Sequence, residues 1–176
     1  MGVGVDPSGG AAEQGIIAAG LLPDCGCKID GAGQLPHYAV IGDASGVYSP
    51  DGWGTATARL FYAKEADRVF GERNYGGDMV ESTLRNVDVN VPYEDVVASR
   101  GKAVRAEPIL ALYEQFRVHH VGALVKGSSP YTVLEDELTR FTALEWVGTG
   151  SPNRADALVW VLTKLAGRKA REFRAW

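Results

Sequence analysis

Residues 2–10 read GVGVDPSGG and place an aspartate at the end of a short run of alternating glycine and valine. The alternation predicts a β-strand over residues 2–6, and the proline and glycines that follow it predict a turn. Two later apolar stretches, residues 16–22 and 37–43, predict two more strands with no helix between them. Three such strands in succession favour an antiparallel meander.

Further along the chain, predicted strands alternate with predicted helices. Residues 67–72 predict a fourth strand that ends in Glu72, VDVNV at 87–91 predicts a fifth, and residues 118–124 predict a short sixth. Helices are predicted after these strands, beginning at residues 50, 78, 103, 132 and 153. Because strands separated by helices usually pair in parallel, the predicted fold class is α/β, with a mixed sheet and helices on its faces.

Composition narrows the class of protein. The chain has 176 residues, a net charge of −4 and 45% hydrophobic residues, which is typical of one globular domain with a real core. It contains no apolar run near the ~18 residues that a membrane span requires, and its first residues do not resemble a secretory signal. The two cysteines, Cys25 and Cys27, form a C-x-C. We expect this pair neither to close an ordinary disulfide nor to find partners for a zinc site, which favours a reducing, intracellular compartment.

Three acidic residues stand at strand ends or at a helix start. Asp6 closes the first predicted strand, Glu72 closes the fourth, and Asp156 lies in the first turn of the last helix. If the fold brings them together, they form an oxygen-only cluster of the kind that Mg²⁺ and Mn²⁺ prefer. Two such ions on shared carboxylates can hydrolyse a phosphodiester. The alternative for each acid is an ordinary role as a cap or turn former.

Other chemistries have weaker support. The sequence contains neither the G-x-x-x-x-G-K-[ST] pattern of a phosphate-binding loop nor a G-x-S-x-G nucleophile turn. His119 and His120 lie in an apolar strand pattern, which predicts that their rings point to opposite faces. We interpret them as buried or edge histidines in preference to metal ligands.

Several segments of the chain resemble one protein family, the nuclease domain of the terminase large subunit of tailed bacteriophages and prophages. The matching segments occur in the family's order over nearly the whole chain: VGVDPSG at 3–9, YAVIGDASGVYSPDGW at 38–53, VFGERNYGGDMV at 69–80, KAVRAEPILALYEQFRVHHVG at 102–122, LEDELTRFT at 134–142 and SPNRADALVWVLTKL at 151–165. The resemblance implies an RNase H-like mixed sheet of five strands or more. It also implies a metal-dependent endonuclease that cuts concatemeric viral DNA during genome packaging.

The resemblance also implies roles for particular acids. Asp6 would be the central catalytic residue and bridge two Mg²⁺ or Mn²⁺ ions with DNA bound, and Glu72 and Asp156 would complete the metal site. Asp43 also lies in a matching segment, after the third predicted strand. It is either a peripheral metal ligand or a structural acid.

Three basic residues in the matching segments are candidates for DNA binding: Lys102, Arg105 and Arg154. Each would hold a phosphate near the scissile bond. The alternative is that all three are ordinary solvated surface cations.

The chain departs from the family in having no packaging-ATPase motif. We therefore expect residues 1–176 to be a single nuclease domain, without the N-terminal ATPase domain. Expected partners are double-stranded DNA and, in the full system, the ATPase domain, the small terminase subunit and the portal or procapsid, in the bacterial host cytoplasm. Two alternatives stay open: a docking module for the portal with a vestigial metal site, and another RNase H-like nuclease such as a resolvase or ribonuclease H.

Overall fold

The computed structural model describes residues 1–7, 12–22, 25–26, 35–73, 78–97, 101–142 and 145–167. Within these ranges the chain alternates strands and helices. In chain order they are β1 (Gly2–Asp6), β2 (Gly15–Leu22), β3 (His37–Asp43), α1 (Pro50–Ala63), β4 (Arg68–Glu72), α2 (Met79–Val87), β5 (Tyr93–Val96), α3 (Lys102–Glu114), β6 (Val118–His120), α4 (Thr132–Leu138) and α5 (Asn153–Gly167).

The strands form one mixed sheet in the order β5-β4-β1-β2-β3-β6. Strands β1, β2 and β3 pair antiparallel, which confirms the predicted meander. Strand β4 joins β1 in parallel, β5 joins β4 in parallel, and β6 joins β3 in parallel. The α/β class and the mixed sheet of five strands or more are therefore confirmed, with six strands observed.

The alternation in β1 sends its side chains to two different layers. Val3 and Val5 pack with the apolar residues of α1 and α2 on one face of the sheet. The glycines face α5 on the other side, where a Cβ on Gly4 would lie 1.9 Å from the carbonyl oxygen of Ala157. Since side chains in a strand alternate, Asp6 lies on the same face as Gly4. Helix α5 can therefore pack closely against the strand that carries Asp6.

Helices cover both faces of the sheet. Helix α5 is buried along almost its whole length and forms the centre of the core that it shares with α3 and α4. Helix α1 begins as predicted, because the Ser49 hydroxyl accepts a hydrogen bond from the Gly52 amide at 3.2 Å and Pro50 occupies the first turn. In the described part of the chain, no helix has the length and apolarity needed to cross a membrane.

The predicted fifth strand at residues 87–91 is wrong. Val87 ends α2, and Asp88 then makes a local turn in which its carboxylate accepts a hydrogen bond from the Asn90 amide at 2.8 Å. Such side-chain turns compete with strand pairing. The alternating valines therefore arise from a helix end, a turn and the buried Val91. The strand lies slightly later, at Tyr93–Val96, and β6 is shorter than its predicted range.

Candidate active site

Two acids meet at the carboxyl ends of the adjacent parallel strands β1 and β4. Val5 pairs with Gly71, so the next residues along the two strands, Asp6 and Glu72, are neighbours. Asp6 is only 8% exposed. The parallel pairing therefore brings together two carboxylates that are 66 residues apart in the sequence.

The third acid, Asp156, comes from the first turn of α5 and is 2% exposed. Close packing places it there. A Cβ on Gly4 or on Gly15 would lie within 2 Å of a backbone carbonyl oxygen of α5. The absence of a side chain at these two positions lets the start of the helix approach β1 and β2, which brings Asp156 to Asp6.

Two cations from the first turn of α3 balance this acidic cluster. Lys102 donates to the Asp156 carboxylate and also to the Ser151 hydroxyl at 2.7 Å. Arg105, three residues further along α3, lies 3.3 Å from Glu72 and 3.5 Å from Asp156, so a single guanidinium contacts both acids. Its guanidinium also lies 4.5 Å from the centre of the Trp160 ring, a cation–π contact.

Burial raises the pKa of Asp6 to about 7, and repulsion from the nearby Asp156 carboxylate adds to the increase. The positive charge of Lys102 opposes it only in part. Asp6 is therefore only partly ionised at neutral pH when no cation other than the protein's own is present. Carboxylates that are held close together in spite of their mutual repulsion are typical of a functional site.

The acidic cluster is wide. In the described ranges, Asp6, Glu72 and Asp156 do not bring one ligand atom each to within 4.8 Å of one another. Lys102 and Arg105 lie among the carboxylates and contact Asp156 from α3. The three acids therefore lie near one another, but their carboxylate oxygens do not converge on a single position.

Asp43 and Arg154 form a separate ion pair. Arg154 Nε lies 3.0 Å from Asp43, and its other end donates to Glu13. Asp43 also accepts a hydrogen bond from the Ser45 amide at 2.8 Å. Both side chains are thus held by structural partners, which supports the structural alternative for Asp43 and leaves Arg154 poorly placed to meet a phosphate.

Glu137 in α4 lies beside the site and is not among the residues predicted from the sequence. Its carboxylate accepts a hydrogen bond at 2.8 Å from the amide of Ala155, in the first turn of α5, where amides lack partners within the helix. Burial raises the pKa of Glu137 to about 7. The residue lies in the LEDELTRFT segment, but nothing in that segment marks it as the cap of a distant helix.

We expect Glu137→Ala to destabilise the protein by about 1–2 kcal/mol, because it removes the acceptor that caps α5 beside Asp156. Urea unfolding at pH 7 measures the loss. Glu137→Gln is the matched control, since its amide oxygen still accepts the Ala155 hydrogen bond, and it should lose less than half as much. Equal losses in the two variants would show that the cap is not the cause.

A second cluster contradicts the prediction that the C-x-C lacks metal-binding partners. Cys25, His37 and His119 each bring one ligand atom to within 4.8 Å of the others. Burial and the adjacent His37 lower the pKa of His119, which favours the neutral imidazole. Cys25 is also disulfide-bonded in this structure, which the sequence analysis did not expect. Cys27 lies outside the described residues.

No protein-family model and no curated protein matches this sequence. The sheet order, with helices on both faces, is that of an RNase H-like fold. Solved structures with a similar fold come from viral terminases. The large terminase nuclease of thermophilic phage G20c has a TM-score of 0.58 at 18% identity, over 92% of this chain and 80% of that one.

Two further structures agree. The same phage nuclease with bound magnesium has a TM-score of 0.60 at 17% identity, over 92% of this chain and 79% of that one. The manganese-soaked human cytomegalovirus terminase nuclease domain has a TM-score of 0.61 at 13% identity, over 99% and 87%. The chain therefore has the fold of viral terminase nuclease domains.

Proposed function

We propose that this chain is the metal-dependent DNA endonuclease domain of a phage terminase large subunit, which cuts concatemeric viral DNA during genome packaging. One observation carries the proposal. The fold gathers Asp6, Glu72 and Asp156, three acids far apart in the sequence, at the carboxyl ends of the central parallel strands. The similarity of fold supports the class of protein, a terminase nuclease domain. The cluster of three acids supports the proposed metal-dependent cleavage of DNA.

The donor set of the cluster fits hard divalent cations. It consists of carboxylate oxygens, which suit Mg²⁺ and Mn²⁺. Structural neighbours were solved with bound magnesium, with bound cobalt or after a manganese soak. Asp6, Glu72 and Asp156 would hold the ions, two of them with DNA bound. Bound there, such ions would supply activation of water and neutralisation of charge on the scissile phosphate.

Lys102 and Arg105 have different parts in this proposal. The Arg105 side chain is 15% exposed and contacts two carboxylates, so it holds Glu72 and Asp156 in position. The Lys102 side chain is 42% exposed, and its flexible ammonium can turn from Asp156 towards a phosphate. We therefore assign phosphate contact to Lys102 and a positioning role to Arg105. Arg154, which contacts two acids, has the weaker claim.

The net charge of −4 limits how tightly the domain binds DNA by itself, because affinity for a duplex depends on the number of phosphates that the protein neutralises. We therefore propose weak, salt-sensitive binding with little sequence preference. Placement on the DNA would come from the ATPase domain, the small subunit and the portal, in the host cytoplasm.

Nicking of supercoiled plasmid tests the proposal. We expect nicking with Mn²⁺ or Mg²⁺, none with EDTA, and the same rate in Glu114→Gln, a control that changes an exposed acid on α3. Linear duplex, a four-way junction and an RNA–DNA hybrid are compared in parallel. Preference for the junction or the hybrid would replace the terminase function by that of a resolvase or a ribonuclease H.

Calorimetry with Mn²⁺ addresses the docking alternative. The nuclease proposal requires Mn²⁺ to bind to the wild-type protein. If neither Mn²⁺ binding nor cleavage is measured, the domain is a docking module whose metal site is vestigial.

A further inference from the structure

A second cluster of metal-binding side chains lies at the β3–β6 edge of the sheet, away from the central strands β1 and β4. Cys25 belongs to the connection between β2 and β3, His37 is the first residue of β3, and His119 lies in β6, where it pairs with Ala39. We call these three side chains the Cys–His cluster. The sheet therefore joins three separate parts of the chain at one point.

The ligand atoms of the Cys–His cluster converge on His119. Its Nε2 lies 2.9 Å from His37 Nδ1 and 3.2 Å from Cys25 Sγ, and the two imidazole rings are stacked, 5.3 Å apart and 7° from parallel. An imidazole nitrogen has either one N–H or one in-plane lone pair, so it makes one good hydrogen bond. Hydrogen bonding therefore accounts for one of these approaches but not for both.

A metal ion accounts for both approaches. Zn²⁺ binds thiolate sulfur at about 2.3 Å and imidazole nitrogen at about 2.0–2.1 Å, so ligand atoms in a tetrahedron lie about 3.3–3.6 Å apart. The two distances of the cluster are a few tenths of an ångström shorter, a difference that small side-chain rotations remove. Sulfur and nitrogen donors also select zinc over the hard cations that suit the carboxylate cluster.

We propose that the reduced chain binds one structural Zn²⁺ ion through Cys25 Sγ, His37 Nδ1 and His119 Nε2. The ion ties the β2–β3 connection to β6, a strand of only three residues that needs support at the sheet edge. The fourth tetrahedral position is left to water. The proposal is independent of the proposed nuclease function.

Zinc and the disulfide are alternative states of the same sulfur. Reduction of the disulfide by a thiol or phosphine reductant takes two electrons and two protons and yields two thiols. Zn²⁺ then binds Cys25 as the thiolate and releases its proton to solvent. A small-molecule disulfide that takes up two electrons and two protons, and becomes two thiols, restores the protein disulfide and displaces the zinc. The site therefore holds zinc only under reducing conditions.

The test is zinc content of the full chain, purified with a phosphine reductant and dialysed against zinc-free buffer. We expect about one zinc per chain, and a thiolate-to-metal charge-transfer band after substitution with Co²⁺. Cys25→Ser and His119→Ala should each weaken zinc binding more than about 100-fold, because loss of a hydrogen-bond partner of a ligand alone costs about 10–100-fold. His120→Ala is the matched control. Its ring contacts Tyr113 and Glu135 instead, so it should keep the zinc.

Three outcomes would overturn the proposal. The first is reduced wild-type protein that holds no zinc and gives no charge-transfer band with Co²⁺, a result that needs no variant to fold. The second is zinc binding that is unchanged in both Cys25→Ser and His119→Ala. The third is zinc that is lost in Asp6→Asn, which would assign the ion to the carboxylate cluster.

Discussion

Asp6→Asn is expected to abolish nicking of supercoiled plasmid, with a loss of at least about 10³-fold in the presence of Mn²⁺. Burial raises the pKa of Asp6, and repulsion from Asp156 and Glu72 adds to the increase. An amide oxygen carries no charge, so the variant loses the carboxylate that we propose as the central metal ligand while keeping nearly the same shape. A loss of this size follows when electrostatic stabilisation of the transition state is removed.

The same substitution should stabilise the metal-free protein above pH 7. Burial raises the pKa of Asp6 from 3.8 to about 7, so the folded state holds its proton more tightly than the unfolded state does. The resulting stability is fully present below pH 3.8 and is lost as the pH rises through 7. The two pKa values differ by about three, which corresponds to about 4 kcal/mol of stability. Asp6→Asn has no carboxyl group to ionise and therefore does not lose this stability.

Thermal unfolding in EDTA between pH 4 and pH 8 checks this second effect. The wild-type transition should fall across this range more steeply than that of Asp6→Asn. Asp136→Asn, which changes an exposed acid on α4, should follow the wild type in both nicking and unfolding. Cleavage at the wild-type rate by Asp6→Asn would remove this residue from the mechanism.

Gly4→Ala is expected to destabilise the protein by about 3 kcal/mol and to reduce nicking at least about 10²-fold. The added Cβ would lie 1.9 Å from the carbonyl oxygen of Ala157, which is backbone and cannot rotate away. Helix α5 must therefore move from the sheet, and overpacking of this kind costs about 1–3 kcal/mol or more. Because α5 carries Asp156, a shift of about 1 Å also misplaces a site acid.

Gly167→Ala is the matched control for this prediction, since it adds the same methyl group to the other end of α5. In the described part of the structure no heavy atom lies within 4 Å of that Cβ. Urea unfolding and plasmid nicking of this variant should match the wild type. If Gly4→Ala also matches it, close packing of α5 on β1 is not what positions Asp156.

Local patterns predicted most of the strands and helices. The alternating residues of β1, the capped start of α1 and the apolar stretch of β3 each depend on neighbours within a few positions, so the sequence is sufficient to predict them. The prediction of the fifth strand was wrong because VDVNV has the periodicity of a strand. The turn at Asp88 depends instead on a side-chain hydrogen bond, which periodicity does not predict.

The candidate site was predictable only in part. Asp6, Glu72 and Asp156 were predicted as one cluster, because acids at the ends of neighbouring strands and at a helix start can meet at one sheet edge. The cap supplied by Glu137 and the Cys–His cluster were missed. Both depend on how one helix or strand packs against another. The spacing of residues 25, 37 and 119 in the sequence does not predict a common site.

The amino-acid sequence by itself therefore determined the α/β class, the strand that carries Asp6, and the residue types available for chemistry, because these follow from short-range periodicity and composition. The tertiary structure alone decided which of those residues touch. Asp156 reaches Asp6 because two glycines let α5 approach the sheet, and Arg105 joins Glu72 to Asp156 because α3 packs beside them. Contacts over such sequence separations depend on packing distances between elements, which no local pattern records.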